Sequence, residues 1–141
     1  MQSILQPIYR WIWRDANRRG RKLLGFAEVE ADGGRDLVRA AELTPDPILR
    51  KLFFVHASDE ERHAGLFRRR GLELLAGGSA AAGFQAAWLA PGERGLDDLR
   101  VGEGDEALLA FLHLSEKTAA RNFAAYRDVL DHDPATRAGF E

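Results

Sequence analysis

The 141-residue sequence contains no cysteine, and that absence excludes disulfide frameworks, thiolate nucleophiles, iron–sulfur clusters and thiolate zinc sites together. Any metal ion must therefore be held by oxygen and imidazole donors. No stretch approaches the roughly 18–20 continuous apolar residues that a membrane-spanning helix needs. The N-terminus also lacks the basic, then apolar, then small-residue order of a signal peptide, so the cytoplasm is the expected compartment. Strand signals are scarce, because β-branched residues are few and do not alternate. There is no excess of one charge either. With 20 Lys+Arg against 22 Asp+Glu the formal charge is −2, and no specific nucleic-acid partner is expected.

The charge that is present is unevenly placed. Residues 1–25 carry six basic groups (Arg10, Arg14, Arg18, Arg19, Arg21, Lys22) against one acid, Asp15, a net of +5 that leaves −7 on the remainder. A composition of 45% hydrophobic and 30% charged residues suits one globular domain of this length. The sequence reads as an aromatic and basic helical arm over 1–21, followed by a helical domain over 22–141.

Punctuation divides that domain. Thr44-Pro45-Asp46-Pro47 separates two helices, with Thr44 as the expected cap of the second. Gly77-Gly78 ends the second helix. Residues 77–104, rich in Gly, Ala and Ser, read as a long connection. Asp105 is a candidate cap for a third helix, and Asp131-His132-Asp133-Pro134 repeats the cap-and-proline signal for a fourth. The expected helices are about 22–43, 45–76 and 105–131, with the start of another at 134–141. The class is all-α, and the long connection favours a four-helix bundle with one crossover whose fourth helix is truncated.

Laying core spacing over each helix exposes one recurring fault. The first stripe reads Leu23, Phe26, Glu30, Gly33, Leu37, Ala41; the second Phe53, His56, Glu60, His63, Phe67, Leu74; the third Leu109, Leu112, Glu116, Ala119, Phe123, Tyr126, Leu130. Carboxylates occupy positions that should be apolar. An unpartnered buried carboxylate costs several kcal/mol, a cost that a cation removes. Glu30 lies 14 residues before Thr44 and Glu60 lies 16 after it, so both fall about 20 Å from the turn at a rise of ~1.5 Å per residue. Glu60 and His63, spaced i, i+3, share one helix face.

These residues, Phe26-Ala27-Glu28-Val29-Glu30, Asp59-Glu60-Glu61-Arg62-His63-Ala64 and Ser115-Glu116-Lys117, give the chain a likeness. It resembles the ferritin-like superfamily, in particular the rubrerythrin-type di-iron carboxylate proteins, over about residues 22–141. The resemblance implies a metal site of Glu30, Glu60, His63 and Glu116, iron as cofactor with manganese as the alternative, and oxidoreductase chemistry with O₂ or peroxide, or iron oxidation. An internal repeat accompanies it. Glu30 and Asp46-Pro47-x-x-Arg50-x-x-Phe53 recur as Glu116 and Asp133-Pro134-x-x-Arg137-x-x-Phe140, offset by 86 and 87. The same offset carries the Glu-x-x-His pair to about 147 and 150, so the chain is expected to hold one half-site and a lone glutamate, to bind metal weakly or as a single ion unless another copy donates ligands, and to need the complete bundle for oxidoreductase activity.

Other readings stand beside this one. Glu30, Glu60 and His63 can form a salt-bridged polar set with Arg62 or Arg39, and Glu116 can pair with Lys117, Arg121 or His113. His56, His113 and Tyr126 are candidates for supporting the ligands, and Arg68-Arg69-Arg70 reads as a solvated helix end. The competing function is a non-catalytic helical interaction module that forms a homodimer through its helix faces, around an incomplete metal site. In the arm, Ile4, Leu5, Ile8 and Ile12 line one face, with Trp11 and Trp13 resembling interfacial anchors. Packing on the bundle or on a partner subunit is the favoured use of this segment. Weak contact of residues 4–22 with an anionic membrane surface is the alternative.

Overall fold

The structure is a computed structural model that describes residues 4–76 and 104–141. The described residues form five helices and no strand: α1 (Gln6–Arg14), α2 (Ala16–Leu43), α3 (Pro47–Leu75), α4 (Gly104–Arg127) and α5 (Pro134–Ala138). None of these helices is long and apolar enough to cross a membrane. The connection expected over 77–104 lies, apart from Gly104, outside the described residues.

Side-chain chemistry at the helix ends explains the boundaries. Asp15, extended between α1 and α2, accepts a hydrogen bond from the Arg18 amide. It therefore starts a new helix at Ala16, and residues 16–21 are the first turns of the helix that carries Glu30. Asp46, not Thr44, caps α3, accepting from the amides of Ile48 and Leu49. Thr44 is buried instead, and its hydroxyl donates to Asp105 Oδ2 at 2.7 Å. The two residues expected to cap α3 and α4 are spent tying the α2–α3 turn to the start of α4. Asp133 caps α5 as its sequence suggests, accepting from the Thr136 amide.

α2 and α3 form an antiparallel hairpin that packs along its length. Their tightest crossing is at Gly20 and Gly71, where a Cβ on Gly71 would lie 2.9 Å from the Gly20 carbonyl oxygen and 2.9 Å from Leu24 Cγ. Gly71→Ala must push the helices apart, costing about 1–3 kcal/mol against a helix-propensity gain of about 1 kcal/mol. Gly65, on the same helix, has open space around its Cβ position. Thermal unfolding should therefore show Gly71→Ala less stable and Gly65→Ala more stable than the parent chain. Equal and positive shifts would mean the close crossing does not exist.

The core has two apolar clusters. Trp13, Leu23, Phe26, Ala27, Phe67, Tyr126, Val129, Leu130 and Phe140 form one. Leu37, Ala41, Phe53 and Ala57 form the other, with Leu49, Leu108 and Leu112 against it. The second lies beside the α2–α3 turn and the first at the far end of the hairpin. α4 enters beside that turn through Asp105 and leaves at the aromatic cluster through Phe123 and Tyr126. It therefore runs antiparallel to α2 and in the same direction as α3.

Candidate metal centre

Between the two apolar clusters the hairpin and α4 bring polar side chains inward. Along α2 Glu30 falls between Phe26 and Leu37, along α3 Glu60 falls between Ala57 and Phe67, and along α4 Glu116 falls between Leu112 and Phe123. Regular helices of matching register place the three at one level, so an apolar core is interrupted by a single polar layer.

Two groups of three side chains have candidate ligand atoms that all lie within 4.8 Å of one another: Glu30, Glu60 and His63, and His56, Glu60 and Glu116. Glu60 belongs to both. His63 Nδ1 is 3.3 Å from Glu30 Oε2. His56 Nε2 lies 2.9 Å from Glu60 Oε1 and 3.0 Å from Glu116 Oε1, and so joins α3 to α4. Glu30 and Glu60 are largely buried, whereas Glu116 is 59% exposed at its side chain. The layer is closed on the hairpin side and open on the α4 side.

Crowding of the carboxylates shows in their protonation. Burial, then a hydrogen bond and charge repulsion from Glu60, then the charge of Glu116, push the Glu30 carboxyl up to about 9. It is neutral at pH 7. His56 is pushed up to about 10, first by its hydrogen bond to Glu116 and then by that to Glu60, against the effect of burial. The same bond to His56 holds Glu116 below the usual carboxylate range, against burial. In the absence of a cation, a proton on Glu30 and another on His56 thus moderate three facing carboxyl groups.

Gly33 and Gly34 make room for this arrangement. A Cβ at Gly33 would sit 3.4 Å from Glu60 Oε2, and one at Gly34 would sit 3.4 Å from Glu60 Cβ and from the Ala57 carbonyl oxygen. Each glycine inside a helix costs roughly 1 kcal/mol relative to alanine. The pair brings the α2 backbone to within van der Waals range of Glu60.

All four residues expected as ligands lie in this layer, and His56 lies there with them as an equal member of the second group. Its place on the Phe53, His56, Glu60, His63 stripe is the sequence signal for that position. His113 is exposed and enters neither group. Tyr126 is buried in the aromatic cluster, its ring 4.8 Å from that of Trp13. Arg62, considered as a partner for this set, lies 3.4 Å from Asp59 and has a terminal nitrogen 3.3 Å from His63 Nε2, so it reaches the imidazole of the set.

The Arg68-Arg69-Arg70 run is not simply a solvated helix end. Arg68 pairs with Glu28, and Arg70 reaches Asp133 at 2.8 Å and the Thr136 hydroxyl at 3.0 Å. α3 continues one more turn past the run, so Arg70 is positioned against α5 rather than at a free end.

No protein-family model, no curated protein and no solved structure matches this chain. The functional reading accordingly rests on the chemistry of the polar layer.

Proposed function

We propose that this chain is a ferritin-like carboxylate protein of the cytoplasm. On this reading it binds iron, with manganese as the alternative, through Glu30, Glu60, His63 and Glu116, and it is an oxidoreductase acting on O₂ or peroxide, or on ferrous iron itself. The observation that carries the reading is the convergence of carboxylates and imidazoles from three helices on one layer of an otherwise apolar core. α3 and α4 running in the same direction also suits a bundle with one crossover. The donor set fits a divalent first-row metal: carboxylates neutralise its charge and the imidazoles add neutral nitrogen donors. Glu60, common to both groups, offers an oxygen to each, so the five side chains have donors for two ions. Iron held there would supply the electrons that reduce O₂ or peroxide. The protein's own part is to bind the ion, to hold Glu60 against α2, and to leave access past Glu116.

Anaerobic titration with ferrous iron, followed by oxygen uptake, tests the reading. The expected result is binding of at least about one ion per chain that drops at least tenfold in Glu60→Ala, since loss even of groups behind the ligands costs about 10–100-fold. Admission of air should then produce oxygen uptake faster than that of free ferrous iron. A stoichiometry far below one, or binding indifferent to Glu60, would defeat the metal assignment. Binding without accelerated oxygen uptake would defeat the oxidoreductase assignment alone.

The interaction-module reading draws on a different observation. Ile48, Leu52 and Val55 form an exposed stripe on α3, with Phe54 beside it, and a second copy of the chain could cover it. Light scattering decides this, because a strict monomer at all concentrations contradicts it.

A further inference from the structure

α1 carries apolar side chains both toward the core and toward solvent. Trp13 is fully buried against Phe26, Tyr126 and Phe140, and Tyr9 and Ile12 pack beside it. That face accounts for the attachment of α1 to the domain. Outside that face lie Ile8 and Trp11 of α1, 52% and 53% exposed, with Ile4 in the turn just before the helix 95% exposed. Ile12, read from sequence as part of one stripe with Ile4 and Ile8, turns to the core, and Trp11 takes its place on the outward stripe.

The charges carried by α1 itself are of one sign. α1 contains no acidic residue, and Arg10 and Arg14 lie exposed along the flank of the stripe. Arg10, Arg14 and Arg21 form no ion pair with any described residue. Arg18 stacks its guanidinium 4.1 Å from the Trp11 ring centroid and donates from Nε to the Trp11 carbonyl oxygen. This contact holds the indole at the surface with a cation beside it. The nearest acid, Asp15, is occupied in capping α2.

We propose that the outward face of α1 docks the protein on an anionic lipid surface, with Ile4, Ile8 and Trp11 entering the interface and Arg10, Arg14 and Arg18 meeting the headgroups. An apolar stripe bordered by arginines is complementary to acyl chains lying beneath a layer of negative charge. Nucleic acid would leave the isoleucines without a partner. The excess acid on the rest of the chain is screened beyond a Debye length of about 8 Å at physiological salt. A helix of nine residues buries little area, so neither the apolar nor the ionic contribution suffices alone. Binding is therefore reversible and depends on both.

Co-sedimentation of the full chain with vesicles tests the proposal. The expected result is binding to phosphatidylcholine vesicles containing about 30% phosphatidylserine and at least tenfold weaker binding to phosphatidylcholine alone. Binding should fall several-fold between about 0.05 and about 0.5 M salt, as the ionic contribution is screened. Ile8→Ser/Trp11→Ser and Arg10→Ser/Arg14→Ser should each weaken binding about tenfold or more. All four side chains point outward, so circular dichroism and thermal unfolding should match the parent chain. Equal binding to both vesicles, or none to either, overturns the proposal on the parent chain alone. So does vesicle binding unaffected by both pairs of substitutions, or self-association through Trp11 that occurs in place of vesicle binding.

Discussion

Glu30→Gln is expected to make the metal-free protein more stable and, on the proposed metal-binding reading, to weaken ferrous-iron binding about a hundredfold. The Glu30 carboxyl titrates near 4.5 in an unfolded chain and at about 9 in the fold. At pH 7 the unfolded chain has released this proton and the folded chain retains it, so folding must take up a proton against its solution concentration. Each unit of difference is worth about 1.4 kcal/mol, and the interval from 4.5 to 7 sets a ceiling of about 3.5 kcal/mol. The side chain is partly accessible to solvent, which brings the expected gain to about 1–2 kcal/mol. Glutamine keeps the shape and can donate to Glu60 without any proton uptake.

The pH dependence identifies the cause. Between pH 4.5 and 9 the folded state holds more protons at this position than the unfolded state, so the stability Glu30 contributes is greatest below 4.5 and declines as pH rises. The advantage of Glu30→Gln in thermal unfolding should therefore widen from pH 5 to pH 8. His56 acts in the same sense at higher pH: its contribution is complete below 6.5 and is lost as pH rises through about 10. A variant less stable than the parent, or an advantage independent of pH, would show that Glu30 is not held neutral by its surroundings. Retained iron affinity in that variant would remove Glu30 from the ligand set.

The largest loss of stability is expected from Asp133→Ala. Asp133 Oδ2 lies 2.9 Å from Arg19 Nε and Oδ1 lies 2.8 Å from an Arg70 terminal nitrogen, and the carboxylate also accepts from the Thr136 amide and hydroxyl. Arg19 is buried and donates further to the carbonyl oxygens of Trp13 and Arg14, closing the C-terminal end of α1. One carboxylate thus links α1 and α2, α3 and α5. Burial pushes its carboxyl up, but the two bonds from Thr136 and the charges of Arg70 and Arg19 outweigh that and hold it below the usual range.

Removing Asp133 leaves the Arg19 guanidinium buried without its counter-charge, which costs about 3–5 kcal/mol. That is a large share of the roughly 5–15 kcal/mol by which domains are stable. Urea unfolding should show the midpoint fall at unchanged slope. Replacing both partners, Arg19→Met with Asp133→Leu, should restore most of the loss, because no buried charge is then left alone. The pair also predicts acid sensitivity: its contribution is present above pH 3.8 and is lost as pH falls through the lowered folded value. A loss below about 1 kcal/mol in Asp133→Ala would mean that solvent reaches Arg19 freely.

The polar layer was more legible in the sequence than this ion cluster, for a physical reason. Glu30, Glu60, His63 and Glu116 each interrupt a core stripe whose period is set by the α-helix, and equal distances from one turn put Glu30 and Glu60 at one level. Helical geometry converts such spacings into positions. Arg19 and Asp133 are 114 residues apart in the chain, and no periodicity connects them. In sequence Arg70 reads as solvated, because only the placement of α5 brings Asp133 against it. Thr44 and Asp105 read as caps, whereas in the fold the Thr44 hydroxyl donates to Asp105, because a hydroxyl and a carboxylate near a helix start serve equally well as partners for one another.

Sequence alone determined that the chain is helical, that any metal must meet oxygen and imidazole, and that Glu30 and Glu60 interrupt core stripes at one level of the hairpin. Those conclusions depend on composition and on local periods, which a chain possesses before it folds. Tertiary structure decided what the periods leave open. It made His56 a member of the cluster rather than a neighbour, left Glu30 neutral, and turned Trp11 outward while burying Trp13. Each of these depends on distances between atoms on different helices. Such distances exist only once the apolar clusters above and below the polar layer have set how the helices pack.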